Sequence, residues 1–287
     1  MWNAFKLVKS WEIADIEQPE HSRLALAWFN NLLNKVTETL NTQFDQYRIS
    51  EALMTIYTTF RDEFSSWLLE MIKPAYGQPI DRQSYEQTVC IFEQLLQLLH
   101  PFMPFITEDI WQALRTRKDG ESIMISIMPQ PAEYDENLLS RFEAVKNVIV
   151  GIRNIRKQDN VPFKDALELK VKVSERYPAS FASIICKMGN ISTIETVTEA
   201  VKGARSFIAD TVEYFIPASG QVDTVELRAK LEEDLKYTQG FLASVMKKLS
   251  NEKFVNGAPA QVVANERKKQ ADAEAKIAAI EAQLKEL

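Results

Sequence analysis

The sequence is poor in the residues that most often build reactive or metal-binding sites. Its 287 residues include two cysteines, two histidines and eight glycines. Cys90 and Cys186 stand in apolar helical contexts without a CxxC partner, so we expect reduced thiols packed in a core. His21 and His100 are far apart and have no ligand cluster around them, which argues against a zinc site. No apolar run approaches the roughly 20 residues of a membrane-spanning helix, so we predict no membrane partner and a cytoplasmic location.

Motifs of catalysis are missing as well. The sequence has no glycine-rich phosphate loop and no GxSxG, HExxH or DxDxDG pattern. Charged residues make up 26% of the chain, so neighbouring carboxylates are expected on solvated faces without any catalytic role. We therefore predict a chain that holds no catalytic residue, no cofactor and no metal.

Charge is unevenly distributed along the chain. Residues 1–130 carry 11 basic and 17 acidic side chains, whereas residues 131–220 carry 12 of each and residues 221–287 carry 11 of each. The net charge of −6 therefore lies in the first segment, and the chain is not a general binder of polyanions. Nucleic acid would have to bind local basic clusters. These clusters are Arg115 with Arg117; Arg153, Arg156 and Lys157, spaced for one helical face; and Lys248, Lys253, Arg267 and Lys268.

The first segment has the periodicity of a helical bundle. Apolar residues recur at helical spacing in five stretches that are separated by prolines or short polar turns. The stretches are 2–11, 24–44, 50–73, 81–100 and 104–115. Short connections between helices favour an up-and-down bundle, with the aromatic stripes in its core. An irregular stretch with two prolines, from Arg117 to Tyr134, predicts a linker.

The middle segment combines a helix with strands. A helix from about Asn137 to Arg156 precedes Leu167–Val173, where apolar and charged residues alternate as in a half-buried strand. A helix at 179–188 and two β-rich runs, 191–197 and 211–216, follow. We predict a small α/β unit with an antiparallel sheet.

The last segment has the heptads of a coiled coil. Leu235, Leu242 and Leu249 are seven residues apart, and a second heptad row runs from Val263 onward. The break at Asn256-Gly257 divides two arms of similar length, which predicts an antiparallel hairpin. The whole chain is thus predicted to be mainly α, with a helical bundle at 1–130, a small α/β domain at 131–220 and the hairpin at 221–287.

Three motifs carry a family resemblance. Residues 248–267, KLSNEKFVNGAPAQVVANER, closely resemble the KL-x-N-x-x-F-V-x-x-AP-x-x-VV-x-x-ER pattern of the C-terminal arm of valyl-tRNA synthetases. Residues 100–112, HPFMPFITEDIWQ, resemble a segment of the anticodon-binding bundle of class I synthetases, and Trp2-Asn3-Ala4 is similar to the start of that bundle. Gly151-Ile152-Arg153-Asn154-Ile155-Arg156 is similar to the helix beyond it.

The resemblance implies a tRNA-binding role and a truncated enzyme. HIGH and KMSKS, the ATP-site motifs of the family, are absent, as is an editing domain. Valine attachment with ATP and magnesium, and hydrolysis of mischarged threonyl-tRNA, would therefore belong to catalytic and editing domains of the full-length enzyme. Valine tRNA is the implied partner, with the chain a monomer.

The resemblance implies particular residues for the anticodon loop and for the elbow, which is the outer corner of the L-shaped tRNA. Anticodon loops offer unpaired bases that a protein can read, whereas helical RNA is gripped by its shape and backbone. Asn3 and Lys6 are the candidates on the anticodon side. Lys248, Lys253, Arg267 and Lys268 are the candidates at the tRNA elbow.

A protein-interaction scaffold is the competing hypothesis. The hairpin seam contains polar residues that a partner helix could complement, namely Thr224, Arg228, Thr238 and Gln270. The intact arm pattern argues against this alternative, and a gel shift with valine tRNA would discriminate between the two.

Overall fold

A computed structural model describes residues 1–217 and 224–286; the side chains of 224–230, 252, 253, 256, 260, 283, 285 and 286 lie outside the described part. The chain forms two compact units, Met1–Phe142 and Glu143–Leu287. The three-domain division drawn from the sequence stays a prediction. Within the described ranges, no helix combines the length and apolar character that crossing a bilayer requires.

The first unit is built from helices, as predicted. They are α1 (Trp2–Lys9), α2 (Glu20–Asp45), α3 (Ile49–Thr58), a π-helical segment (Thr59–Leu68), α4 (Leu69–Ile72), α5 (Arg82–Leu99), α6 (Pro104–Leu114) and a 3₁₀ turn (Ile123–Ile125). Two short strands, β1 (Ile13–Ala14) and β2 (Ile80–Asp81), pair in parallel. Asp81 caps α5, because its carboxylate accepts a hydrogen bond from the Ser84 backbone N–H at 2.7 Å.

Aromatic side chains fill the core of the first unit. Phe64 is fully buried and its ring centroid lies 5.0 Å from that of Phe92 and 5.3 Å from that of Phe60. Trp28 stacks on Phe142 with centroids 4.0 Å apart. These offset and tilted pairs add to the stabilisation from burial alone. The prediction that aromatic stripes form the core holds for these residues.

One predicted helix contains an unexpected widening. The stretch 50–73 is helical throughout, but its middle has π-helical hydrogen bonding from Thr59 to Leu68. The Ser65 hydroxyl donates to the carbonyl of Phe60 at 2.9 Å, five residues back, as the wider turn requires. The apolar spacing of the sequence predicted an ordinary helix and did not reveal this segment.

The second unit contains a small sheet. After α7 (Glu136–Gln158), which begins in the first unit, come β3 (Leu167–Lys172), a 3₁₀ turn (Ala179–Phe181), α8 (Ala182–Gly189), β4 (Ile191–Val197), β5 (Ala204–Ala209) and β6 (Val212–Pro217). The strand order is β4-β3-β6-β5. Strands β3 and β4 are parallel, whereas β6 pairs antiparallel with both β3 and β5. The prediction of an antiparallel sheet is therefore wrong for the β3–β4 pair, because α8 carries the chain back to the end of the sheet at which β3 begins.

The second unit ends in two long helices. These are α9 (Thr224–Leu249) and α11 (Ala260–Glu286), joined through the short helix α10 (Glu252–Gly257); together they are called the arm below. They run antiparallel, since Lys248 near the end of α9 reaches Glu266 near the start of α11. Val245 and Val263 are buried in the seam, and so is Thr238, whose hydroxyl bonds to the carbonyl of Asp234 at 2.7 Å. The helical hairpin agrees with the heptad pattern, and α10 is an addition to it.

The cysteines are less buried than expected. Cys90 is exposed on α5 and Cys186 is half-buried on α8. The expectation of two core thiols is therefore wrong for Cys90.

Candidate nucleic-acid interface

Helix α1 presents two of the predicted residues to solvent. Asn3 and Lys6 are exposed, while Ala4 and Val8 on the opposite face are buried. Trp2, which the sequence placed in an apolar stripe, is 42% exposed and packs edge-on against Phe5. An amide, an ammonium and an aromatic face therefore lie together on one short helix. Such groups can hydrogen-bond and stack with unpaired bases.

Arg115 and Arg117 are held by carboxylates of α5. Arg115 pairs with Glu86 at 2.8 Å and with Glu93 at 3.1 Å. Arg117 also pairs with Glu93, and its guanidinium lies over the Trp111 ring, 3.5 Å from the ring centroid. Both guanidinium groups are thus neutralised within the first unit. Their geometry fits a role in fastening the end of α6 to α5 better than a role in contacting phosphates.

The HPFMPFITEDIWQ segment is bonded to itself and to the following loop. The His100 ring nitrogen Nδ1 lies 2.7 Å from the Thr107 hydroxyl. Glu108 accepts hydrogen bonds from the Ser122 hydroxyl at 2.8 Å and the Ile123 backbone N–H at 3.0 Å. Burial alone would raise the pKa of Glu108, but these bonds and one from Gln112 hold it below its usual value. The motif therefore fastens α6 to the end of α5 and to the loop at Ser122 and Ile123.

The second cluster does not lie on one exposed face. Arg153 and Lys157 are exposed on α7, but Arg156 is only 5% exposed. Its guanidinium donates five hydrogen bonds, at 2.9 to 3.1 Å, to backbone carbonyl oxygens that close two loops. Those carbonyls belong to Pro162, Asp165, Gly189 and Asn190. The predicted common face is therefore corrected: Arg156 holds the fold, and only Arg153 and Lys157 reach solvent.

Gly151 has a packing role in the same helix. A Cβ atom at this position would lie 2.2 Å from the ring of Phe207 on β5. That ring is held in place by stacking on Tyr214, with centroids 5.0 Å apart. Gly151 thus serves the fit between α7 and the sheet, whereas Arg156 at the end of the motif holds the loop after α7 and the end of α8.

The basic residues of the arm differ in how far they are paired. Lys248 lies 3.7 Å from Glu266, which also binds Lys269 at 2.6 Å. The Lys269 ammonium, helped by Lys248, holds the pKa of Glu266 below its usual value. Lys268 pairs with Asp210 at 2.5 Å.

Arg267 differs from these lysines. Its side chain is exposed and has no ion-pair partner among residues whose side chains the structure describes. Lys253, the remaining predicted elbow residue, has its side chain outside the described part. Of the four predicted arm residues, Arg267 is therefore the one best placed to meet a phosphate.

Known proteins match the chain along nearly its whole length. Residues 27–173 match the family model described as the anticodon-binding domain of tRNA ligase. Residues 223–287 match the model described as the valyl tRNA synthetase tRNA binding arm. With one model covering half of the chain and the other its last part, the chain belongs to the family of tRNA ligases with this anticodon-binding domain.

Curated relatives agree with this assignment. A valine–tRNA ligase of Phocaeicola vulgatus is 55% identical over 280 residues, which are 98% of this chain and 32% of the relative. A valine–tRNA ligase of Porphyromonas gingivalis is 49% identical over 288 residues, covering 100% of this chain and 33% of the relative. A valine–tRNA ligase of Bacillus thuringiensis is 30% identical over 288 residues, covering 95% and 32% respectively. The chain thus spans about a third of the length of the relatives it matches.

Proposed function

We propose that this chain is the tRNA-binding region of a valine–tRNA ligase, with the bundle directed to the anticodon loop and the arm to the elbow of valine tRNA. The observation that carries the proposal is the presence of an anticodon-binding domain and a tRNA binding arm in one chain. The whole protein would attach valine to its tRNA with ATP and magnesium and would edit mischarged threonine. No residue of this chain is assigned to those reactions. We propose further that the protein acts as a monomer.

The bundle side of the proposal depends on α1. Asn3 and Lys6 expose an amide and an ammonium group that can hydrogen-bond to unpaired bases. The acidic charge of the first segment does not prevent this, because base reading needs a few polar contacts rather than a positive field. Replacing Asn3 with Ala should reduce discrimination between valine tRNA and other tRNAs. Asn41→Ala, at an exposed position of α2, is the matched control. Equal loss of affinity for all tRNAs would count against base reading by Asn3.

The arm side depends on its basic residues. Two rigid helices fix the positions of Lys248, Arg267 and Lys268, so their ammonium and guanidinium groups can follow the backbone of a folded RNA. The exposed pair on α7, Arg153 and Lys157, is the second surface that we retain. Arg115, Arg117 and Arg156 are not carried into the proposal, because carboxylates or carbonyls already hold their guanidinium groups.

Fluorescence anisotropy with labelled valine tRNA tests the arm. The variant Lys248→Ala/Arg267→Ala/Lys268→Ala should bind more weakly, and each lost phosphate contact should lower the salt slope of log affinity by about 0.9 or less. Circular dichroism should stay unchanged. The control Lys164→Ala/Lys170→Ala/Lys202→Ala removes the same charge from the region of the sheet in the second unit. It should leave the affinity and the salt slope close to those of wild type. Equal affinity of wild type and the arm variant at about 0.15 M salt would refute the elbow assignment.

The scaffold alternative loses part of its basis in the structure. Thr238 bonds within α9, and the Gln270 side chain donates to Glu274 one turn further along α11 at 2.8 Å. Neither polar seam residue therefore requires a partner helix. The other two, Thr224 and Arg228, have side chains outside the described part.

A further inference from the structure

The turn between β5 and β6 has an unusual conformation. Asp210 and Thr211 form a two-residue hairpin loop between the paired residues Ala209 and Val212, and both have positive φ, 50° and 67°. Turns of this kind favour Asn-Gly or Gly because an L side chain rarely adopts such angles. A β-branched Thr is a particular outlier there. Strained positions of this kind persist where surrounding contacts hold them and often mark functional segments.

The contacts of the turn reach two parts of the second unit. The Asp210 carboxylate pairs with the Lys268 ammonium on α11 at 2.5 Å. The Thr211 hydroxyl accepts a hydrogen bond from Arg176 at 2.9 Å. The turn therefore presents Asp210 to a lysine that the arm is proposed to use for phosphate. Lys268 is 54% exposed even while paired, so an RNA phosphate can approach it.

The packing between the arm and the sheet, among the residues that the structure describes, is open. Helix α11 contacts β5, but clefts of about 370 Å³ and 330 Å³ flank this contact. On the α11 side, the larger cleft is lined only by small side chains, those of Ala275, Ala278, Ala279 and Ala282. Small side chains beside open clefts bury little apolar area, so packing contributes weakly to docking. Among the described side chains, the Lys268–Asp210 pair is the ion pair that joins α11 to the sheet.

We infer, on the basis of the proposed tRNA binding, that the Asp210–Thr211 turn is a latch: it docks the arm on the sheet through Lys268, and an RNA phosphate displaces the Asp210 carboxylate and releases the arm. The same ammonium cannot bind both anions in full. Undocking of the arm therefore frees the Lys268 ammonium and raises the affinity of the arm for RNA. A residue that merely oriented Lys268 for RNA would act in the opposite direction, because its loss would weaken binding.

Affinity for labelled valine tRNA tests the latch by its sign. Asp210→Asn keeps the turn, since Asn tolerates positive φ, but removes the competing charge. It should bind tRNA more tightly by about fivefold or less, the range of an exposed ion pair. Asp159→Asn is the matched control, because it removes an equal charge and breaks the Arg205–Asp159 pair in the same unit. It should stay within twofold of wild type. In a Lys268→Ala background, Asp210→Asn should have no effect.

A distance measurement gives a second readout. Spin labels at the exposed positions Lys202, before β5, and Lys247, near the end of α9, report the separation of arm and sheet. Added tRNA should lengthen or broaden the distance distribution, and Asp210→Asn should do so without RNA. Unchanged distances, or a variant that binds tRNA as well as or worse than wild type, would overturn the latch alone. If wild type binds no tRNA, the proposed function falls and the latch falls with it.

Discussion

Arg156 provides the sharpest test of how the second unit is held together. Its buried guanidinium donates twice to the Gly189 carbonyl and once each to Pro162, Asp165 and Asn190. Arg156→Met keeps the aliphatic stem but removes these donors; the Pro162 and Asn190 carbonyls then keep only the backbone N–H groups of Asp165 and Leu167, each at 3.1 Å. Loss of the donor to the buried Gly189 carbonyl should by itself cost about 1–3 kcal/mol. Each of the three half-buried carbonyls adds part of the ~1 kcal/mol that a hydrogen bond contributes on average. We expect the free energy of unfolding to fall by about 3 kcal/mol, a large share of a typical domain's stability.

The two units can be followed separately during unfolding. All five tryptophans lie in the first unit, so tryptophan fluorescence reports that unit while circular dichroism reports both. In urea, Arg156→Met should shift part of the circular dichroism transition to lower denaturant and leave the fluorescence transition in place. Lys157→Met, one residue further along α7 and exposed, should change stability by less than about 0.5 kcal/mol. Equal midpoints for Arg156→Met and wild type would refute the structural role of Arg156.

Three further variants test pH dependence and packing. Because Glu108 has a lowered pKa in the fold, its hydrogen bonds to Ser122 and the loop stabilise fully above its usual value of 4.5 and are lost as pH falls below it. The stability difference between wild type and Glu108→Gln, read by tryptophan fluorescence, should therefore be largest near pH 7 and shrink in acid; a pH-independent difference would contradict this. Gly151→Ala should cost about 1–3 kcal/mol, because the new methyl group collides with the Phe207 ring, and Phe207→Leu should recover part of that loss. Additive effects of these two substitutions would argue against the clash.

Helical periodicity predicted the bundle and the arm because each helix there buries one continuous stripe. The same signal could not reveal the π-helical segment, since the buried residues Phe60, Phe64 and Leu68 are four apart and would share one face of either an α-helix or a π-helix. Its signature is local instead. The Ser65 and Ser66 hydroxyls bond five residues back, at 2.9 and 3.0 Å. Nothing in a hydrophobic pattern specifies that choice of acceptor.

The sheet was harder to predict for two physical reasons. Strand β5 begins and ends in alanine, and the turn Asp210-Thr211 lacks the glycine that marks a tight hairpin. The strand was therefore missed. The parallel pairing of β3 and β4 did have a signal, because a strand, a helix and a second strand in sequence are typical of a parallel crossover. The prediction rested on the alternation of apolar and charged residues within a strand and not on the order of the three elements.

Site prediction failed where burial reverses the expected role of a charge. Spacing of three and four residues placed Arg156 with Arg153 and Lys157, but carbonyl groups from the loop after α7 and from the end of α8 enclose Arg156. Such a pocket forms only in the folded unit and leaves no trace in helix periodicity. Arg117 is a similar case, since Trp111 and Glu93 cover it. The positions of Asn3, Lys6 and Arg267 on the surface were predicted from the sequence, and their contacts with RNA stay predictions.

Hydroxyl-radical footprinting of valine tRNA bound to this chain tests the central claim most directly. Bundle and arm are proposed to bind the anticodon loop and the elbow of one tRNA, so the backbone should be protected in both places. Arg267→Ala should weaken the elbow footprint and leave the anticodon footprint in place. Protection confined to other parts of the tRNA, or an elbow footprint that is the same in Arg267→Ala as in wild type, would contradict the account.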